Sequence, residues 1–210
     1  MSLAKRTLPA ALLIALIPAF ALAQGHGNAN GAGNAHQHGD ATAPYAGFEQ
    51  RAIKSLSEED IAQIRQGGGW GLALPAELNG KPGPAHLLEL SDELGLTADQ
   101  VDAITALYQE MRAEAIAAGD RFIAAEAALS TAFAGSDLSQ DALRKLLAEA
   151  ADARAALRFV HLSKHLSTPQ MLSADQIRKY QILRGYADDP CAKVPEGHNP
   201  TMWRHHNGCE

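Results

Sequence analysis

Two histidines, His161 and His165, stand four residues apart in "FVHLSKHLSTPQMLSADQ", residues 159 to 176. In an α-helix this spacing puts both side chains on one face, so two imidazoles can reach a single metal ion. The same spacing also arises by chance on solvated helices, where the histidines are only polar surface residues. The spacing alone leaves both alternatives open, a metal site or an exposed helix face.

A second group of candidate ligands lies in "PAHLLELSDELG", residues 84 to 95, which has the apolar spacing of a helix. His86 borders the apolar stripe of this helix, and Glu89 lies one turn further along. We expect this helix to end at the pole of the molecule that carries the histidine pair. His86, Glu89, His161 and His165 then form a nitrogen and oxygen donor set, which suits divalent Cu, Zn, Ni or Co.

The elements that would position these ligands are two long helices. Thr97 is a predicted N-cap for a helix through about residue 134, and "AGSDLS" separates it from a partner helix over about residues 140 to 166. The first helix carries an apolar seam with 3-4 spacing. The seam consists of Val101, Ile104, Tyr108, Met111, Ala115, Ala118, Phe122, Ala125, Leu129 and Phe133.

Shorter helices complete the predicted fold. Ser57 begins a short helix through Arg65, and Ser173 begins a final helix with the sequence "ADQIRKYQILRGY". No segment has the alternation of a strand. The predicted fold class is therefore all-α, a hooked hairpin of four helices in which the two long ones run antiparallel.

Residues 1–23 have the pattern of a cleaved secretory signal peptide. Lys5 and Arg6 precede an apolar run, and Ala21 to Ala23 form a small-residue cleavage site. The alternative, an uncleaved membrane anchor, suits the run less well because it is short and contains Pro18. We expect a periplasmic protein. Cleavage would change the formal charge from −6 to −8, which argues against nucleic acid as a partner.

The rest of the chain divides by composition. Residues 24–44 are rich in Gly, Asn and His and predict a disordered leader; its histidines are weak candidate metal ligands or simply solvated residues, namely His26, His36 and His38. Residues 45–82 hold the short helix and an irregular Gly/Pro-rich segment that should carry Trp70, Leu72 and Leu74 onto an apolar surface. The helical hairpin occupies residues 83–186.

Residues 187–210 form a separate tail that contains both cysteines of the chain, Cys191 and Cys209. In an exported protein such a pair predicts a disulfide, worth roughly 3 kcal/mol for a loop of this size. The alternative is a metal site that combines the thiolates with histidines of the same loop, which are His198, His205 and His206. We also expect Trp203 to hold the tail against the hairpin.

A catalytic arrangement of residues is not evident in the sequence. Nucleophile-elbow and phosphate-binding glycine motifs are missing, and "GGGWG" lacks the strand and helix that such a motif requires. We therefore predict that the protein is not an enzyme.

Two short motifs, "LGLTADQVDAI" and "MLSADQIRKYQILRGY", resemble the paired LTxxQ-type motifs of the periplasmic Spy/CpxP family. This family includes the ZraP-like and CnrX-like heavy-metal sensor proteins. The matching residues are Leu96, Thr97, Gln100, Leu172, Ser173 and Gln176. Ser173 replaces the threonine of the motif and keeps the capping hydroxyl. The match covers about residues 83 to 186.

The resemblance implies a hairpin that serves as a metal sensor, as an ATP-independent chaperone, or as a modulator of envelope-stress kinases. In the sensor branch a histidine is followed four residues later by a methionine. His161 and His165 are similar to that pair, and the histidine in place of methionine favours Cu(II), Zn or Ni over Cu(I). Tyr108 stands where the sensors have a glutamate.

The function predicted from the sequence is that of a periplasmic heavy-metal-binding sensor or resistance protein. The alternative is a chaperone or stress modulator that binds unfolded clients on the concave face of the hairpin. The expected partners are a divalent metal ion, and either a membrane sensor or anti-sigma protein or unfolded envelope proteins. The long exposed seam also suggests a homodimer.

Overall fold

The computed structural model describes residues 43 to 209 of the chain. Over these residues the regular structure is helical and no strand is formed, which confirms the all-α class. The predicted signal peptide and most of the predicted leader, with His26, His36 and His38, lie outside the described residues. The α-helices are α1 (Glu58–Arg65), α2 (Leu74–Glu77), α3 (Pro84–Glu89), α4 (Ser91–Leu94), α5 (Ala98–Ala134), α6 (Gln140–Ser167), α7 (Ala174–Leu183) and α8 (Pro200–Asn207).

The two long helices, α5 and α6, begin and end close to their predicted bounds and pack against each other. Small buried side chains, among them Ala115, Ala118 and Ala150, allow the backbones to approach. Lys164 of α6 forms ion pairs with two carboxylates of α5, at 3.0 Å from Glu110 and 3.2 Å from Glu114. No helix of the described residues is long and apolar enough to span a membrane.

The two predicted caps meet each other. Thr97 and Gln100 form a capping box at the start of α5, and Ser173 and Gln176 form one at the start of α7. The two glutamine side chains also exchange hydrogen bonds, with nitrogen to oxygen distances of 2.9 and 3.0 Å. These bonds join the beginnings of α5 and α7.

A third layer, made by residues before α3, covers one part of the long pair. Ile64 of α1 is almost fully buried and lies over Gly119 in the middle of α5. A Cβ added at Gly119 would lie 2.5 Å from Cγ2 of Ile64, which explains a glycine inside a long helix. The layer packs on a core that contains Phe122 and Leu157.

The prediction of a single helix over residues 84 to 94 is wrong, because in the structure this segment is broken at Leu90. Leu90 has φ −108° and ψ 19°, so α3 ends and α4 starts there. Ser91 and Asp92 follow the break; their side chains compete with helical backbone bonding, which lowers the cost of interrupting the helix. Gly95 ends α4 with a positive φ of 61°, a conformation that glycine adopts readily at a helix C-cap.

Helix α2 lies in the segment that was predicted to be irregular. Pro75 stands in its first turn, where the missing N–H costs little. Leu72 is buried as predicted, but Leu74 is 53% exposed, so the prediction that it packs on an apolar surface is wrong. The density of Gly and Pro around this one-turn helix concealed it.

The tail is closed by a disulfide between Cys191 and Cys209. This confirms the predicted disulfide and rules out the alternative, a metal site that uses the two thiolates. It also contains α8, which the sequence did not predict and which Asn199 caps. Trp203 donates a hydrogen bond to the carbonyl of Pro190 at 2.8 Å and meets the ring of His198 edge-on. Both contacts lie within the tail, and the predicted packing of Trp203 against the helical hairpin stays a prediction.

Candidate functional site

A pocket of about 370 Å³ lies beside the long helices, and all three candidate ligand histidines line it. His86 comes from α3, and His161 and His165 come from the last part of α6. The glycine-rich loop at residues 67 to 71 forms another wall. The structure thus brings these three histidines to the wall of one pocket. Other lining residues that bear on the chemistry are Glu77, Tyr108 and Met111.

His161 is buried, with 3% of its surface exposed, and its Nε2 has no hydrogen-bond partner. Burial, followed by the nearby His165, lowers the pKa of His161 below its ordinary value. The ring is therefore neutral near pH 7 and keeps a nitrogen lone pair. A buried polar atom without a partner is costly in a folded protein, and this one lies in the wall of a pocket.

His165 is oriented by the backbone. Its Nδ1 lies 2.6 Å from the carbonyl oxygen of Lys81, and because a carbonyl only accepts, Nδ1 carries the proton and donates it. In the neutral ring the lone pair is then on Nε2. The ring packs directly on Gly83, where an added Cβ would lie 2.7 Å from Nε2. Gly83 thus leaves the room that His165 occupies.

His86 is held between a carboxylate and a guanidinium. Its Nδ1 lies 3.3 Å from Oε1 of Glu77, and its Nε2 lies 3.4 Å from Nη2 of Arg184. A guanidinium can only donate, so Nε2 accepts and the proton of the neutral ring is on Nδ1, directed at Glu77. The lone pair of His86, like that of His165, is therefore on Nε2.

Glu77 is a buried carboxylate that joins the elements around the pocket. Its Oε1 accepts a hydrogen bond from the hydroxyl of Tyr180 on α7, and its Oε2 lies 3.9 Å from Nδ1 of His165. Burial raises the pKa of Glu77, but the hydrogen bonds from His86 and Tyr180 outweigh burial and hold this pKa below its ordinary value. Burial and the bond to Glu77 raise the pKa of Tyr180.

Glu89, the carboxylate chosen from the sequence, is exposed and is not one of the residues that line the pocket. It lies on the far side of α3 from the buried Leu87, whereas Glu77 enters from α2. Sequence reasoning missed Glu77 because α2 was not predicted. Pro75, as the start of a short helix, was the signal that could have placed Glu77.

The histidines of the tail, His198, His205 and His206, are all exposed. Within residues 43 to 209, no three His, Cys, Asp or Glu side chains stand ready around a common point for a metal ion. The pocket histidines are thus gathered and oriented, but their donor atoms are not assembled.

Comparisons with protein-family models, with curated proteins and with solved structures find no match for this chain.

Proposed function

We propose that the protein is a periplasmic heavy-metal-binding sensor or resistance protein that binds a divalent transition metal through His86, His161 and His165. The carrying observation is that three histidines from two distant helices line one pocket, and that the buried Nε2 of one of them, His161, has no hydrogen-bond partner. Neutral imidazole nitrogens are ligands that Zn, Cu, Ni and Co accept.

The protons on two of the rings support this proposal. His165 donates from Nδ1 to a backbone carbonyl, and His86 directs its Nδ1 proton at the carboxylate of Glu77. Metal-binding histidines usually donate their second ring nitrogen to such partners, which orients the ring and leaves Nε2 for the metal. Glu77 would then orient His86 and would not itself bind the metal. The carboxylate predicted from the sequence, Glu89, was instead expected to be a direct ligand.

The paired caps of α5 and α7 support a hooked hairpin fold and a place in the Spy/CpxP-like class. Gln100 and Gln176 bond to each other at the starts of α5 and α7, and this is an arrangement expected of a hooked hairpin with two LTxxQ-type motifs. We include the hooked antiparallel hairpin and the Spy/CpxP-like class in the proposal. A bound ion would supply a positive centre linking α3 to α6, and a membrane sensor or anti-sigma protein would read the result.

Calorimetric titration with Cu(II), Zn(II), Ni(II) and Co(II) tests the metal site. We expect one tight site in the purified protein that is lost in the double variant His161→Ala/His165→Ala. A matched variant with His198, His205 and His206 replaced by alanine should keep this site, and so should a variant with His26, His36 and His38 replaced.

Far-UV circular dichroism must show that each variant is folded, and His161→Gln serves as a second variant if the double variant is not. Tight binding that survives the loss of His161 and His165 would refute the pocket as the site. Loss of binding in the tail or leader variants would instead assign the metal to those segments.

A second candidate function is supported by an exposed apolar face of α6. Its members recur at helical spacing and are Ala148, Ala151, Ala155, Phe159 and Leu166. Phe159 is 69% and Leu166 60% exposed. A chaperone could bind unfolded clients on such a surface, and a second copy of the chain could cover it in the expected homodimer.

The chaperone function is tested by measuring whether the metal-free protein suppresses the aggregation of an unfolded client protein. Phe159→Ser should weaken the suppression, whereas Phe133→Ser, at an exposed apolar residue on α5, should not. Equal suppression by both variants would exclude the face as the client site.

A further inference from the structure

Helix α7 reaches the proposed metal site through two side chains, Tyr180 and Arg184. The hydroxyl of Tyr180 donates to Oε1 of Glu77 and lies 3.4 Å from Nδ1 of His86. The guanidinium of Arg184 lies 3.6 Å from Oε1 of Glu77 and 3.4 Å from Nε2 of His86. The last turns of α7 thus contact the same carboxylate and the same imidazole that face the pocket.

Arg184 occupies the one nitrogen of His86 that a metal needs. Since a guanidinium has donors and no acceptor, its contact with Nε2 uses the lone pair of the ring. The other nitrogen, Nδ1, is turned to Glu77 and carries the proton. A metal therefore cannot reach His86 through Nε2 until Arg184 has left, and it cannot reach Nδ1 without breaking the bond to Glu77.

Arg184 also contacts the side chain of Tyr186. Its guanidinium carbon lies 5.8 Å from the ring centre of Tyr186, and its Nη2 lies 3.5 Å from the hydroxyl of the same residue. Arginine stacks well on aromatic rings, so Arg184 keeps one partner when its contact with His86 is lost. Arg184 also ends α7, and Gly185 follows it with a positive φ of 72°.

We propose that Arg184 is a built-in competitor of the metal, whose departure from His86 on metal binding loosens the end of α7 and the disulfide-closed segment after it. This inference rests on the proposed function. A ligand can shift such an equilibrium only by its different affinity for the two states, and here the difference is access to Nε2 of His86. The segment from Gly185 to Cys209 is the part of the chain that responds.

Replacing Arg184 by methionine keeps the apolar stem and removes the donors. Because one hydrogen bond to a charged group is lost from the metal-free state, Arg184→Met should tighten metal binding on the order of tenfold. Arg178→Met is the matched control: Arg178 lies on the same helix but is exposed and pairs with Asp175. The control should leave the affinity unchanged.

Hydrogen exchange supplies a readout independent of affinity. The amides of Gly185, Tyr186 and Ala187 bond to carbonyls in the last turns of α7. They should exchange faster when the wild-type protein is loaded with Zn(II), and in Arg184→Met they should exchange fast with or without Zn(II). The amides in the middle of α5 serve as an internal reference that should not change.

The outcomes separate this inference from the function on which it rests. If the wild type binds no metal through His86, His161 and His165, both proposals fail. Histidine-dependent binding with equal or weaker affinity in Arg184→Met overturns the competitor alone, and so does unchanged exchange at residues 185 to 187 on loading. Should Arg184→Met not fold, the exchange of the wild type with and without Zn(II) still decides.

Discussion

The two ends of the α5–α6 pair differ in burial. Near the pocket, Met111, His161 and His165 are buried. At the other end, Phe133 and Leu147 are 64% and 49% exposed. The two helices are continuous through both ends, so helix formation does not explain the difference.

The difference comes from the third layer. Ile64 and Leu72 cover the pair near its middle, and Ser55 and Lys54 reach as far along α5 as Glu126 and Ser130. Phe133 follows these contacts on α5, and Leu147 of α6 is not part of the core that the layer covers. Two helices alone bury only the stripe between them, so large side chains flanking the stripe need a third element.

The largest test of this comparison uses one substitution at two places on α6. Leu157→Ala removes a side chain that is 1% exposed, and we expect a loss of about 2–5 kcal/mol in the free energy of unfolding. Leu147→Ala, ten residues earlier and half exposed, should cost about 0.5 kcal/mol or less. Urea denaturation followed by circular dichroism measures both, and equal losses would contradict the role given to the third layer.

A smaller effect is expected where the third layer meets the pocket. In Gly83→Ala the new methyl group would lie 2.7 Å from the ring of His165, so this ring or the loop must shift. Such overpacking costs about 1–3 kcal/mol. Gly69→Ala is the control, since a Cβ there meets nothing within 4 Å. A neutral Gly83→Ala would show that His165 is not held against the loop.

The smallest effect is a pH dependence confined to the pocket end. The pKa of His161 is lowered by burial from its ordinary value of 6.5, so the unfolded chain binds this proton more tightly than the folded one. The stabilisation by neutral His161 is thus complete above pH 6.5 and is lost as the pH falls through the lower pKa of the folded state. Below 4.5, protonation of Glu77 removes a further contribution.

Denaturation at about pH 7.5 and about pH 5.5 measures the first of these losses. The variant His161→Leu, which cannot bind the proton, should lose less stability on acidification than the wild type. Phe133→Leu at the other end should keep the full dependence of the wild type. If His161→Leu lost as much as the wild type, the dependence would belong to other groups.

Much of the helical structure was readable from local signals. Ser57, Thr97 and Ser173 each cap a helix at the predicted residue, because a side-chain oxygen that accepts from the first turn works without distant partners. The disulfide was predicted from the only two cysteines of a chain that we expected to be exported, and the structure forms it. The break at Leu90 and the helices α2 and α8 were missed, because the first interrupts a good helical pattern and the others are short.

The candidate site divides in the same way. The sequence selected His86, His161 and His165 by residue type and helical spacing, and in the structure these three residues line one pocket. It could not select Glu77, Tyr180 and Arg184, since these meet through contacts between α2, α3 and α7 that have no local pattern. For the same reason the sequence pointed to Glu89, which is spaced one helical turn from His86 but lies on the exposed face of α3.

Local sequence thus decides where the capped helices α1, α5 and α7 begin, which residue types could serve as metal ligands, and that the tail is cross-linked, because each depends on a few neighbouring residues or on residue type. Tertiary structure decides which apolar side chains are buried, which carboxylate faces the histidines, and that Arg184 lies on the lone pair of His86. These outcomes depend on which segments cover the long helices, and such packing is settled by the whole chain at once.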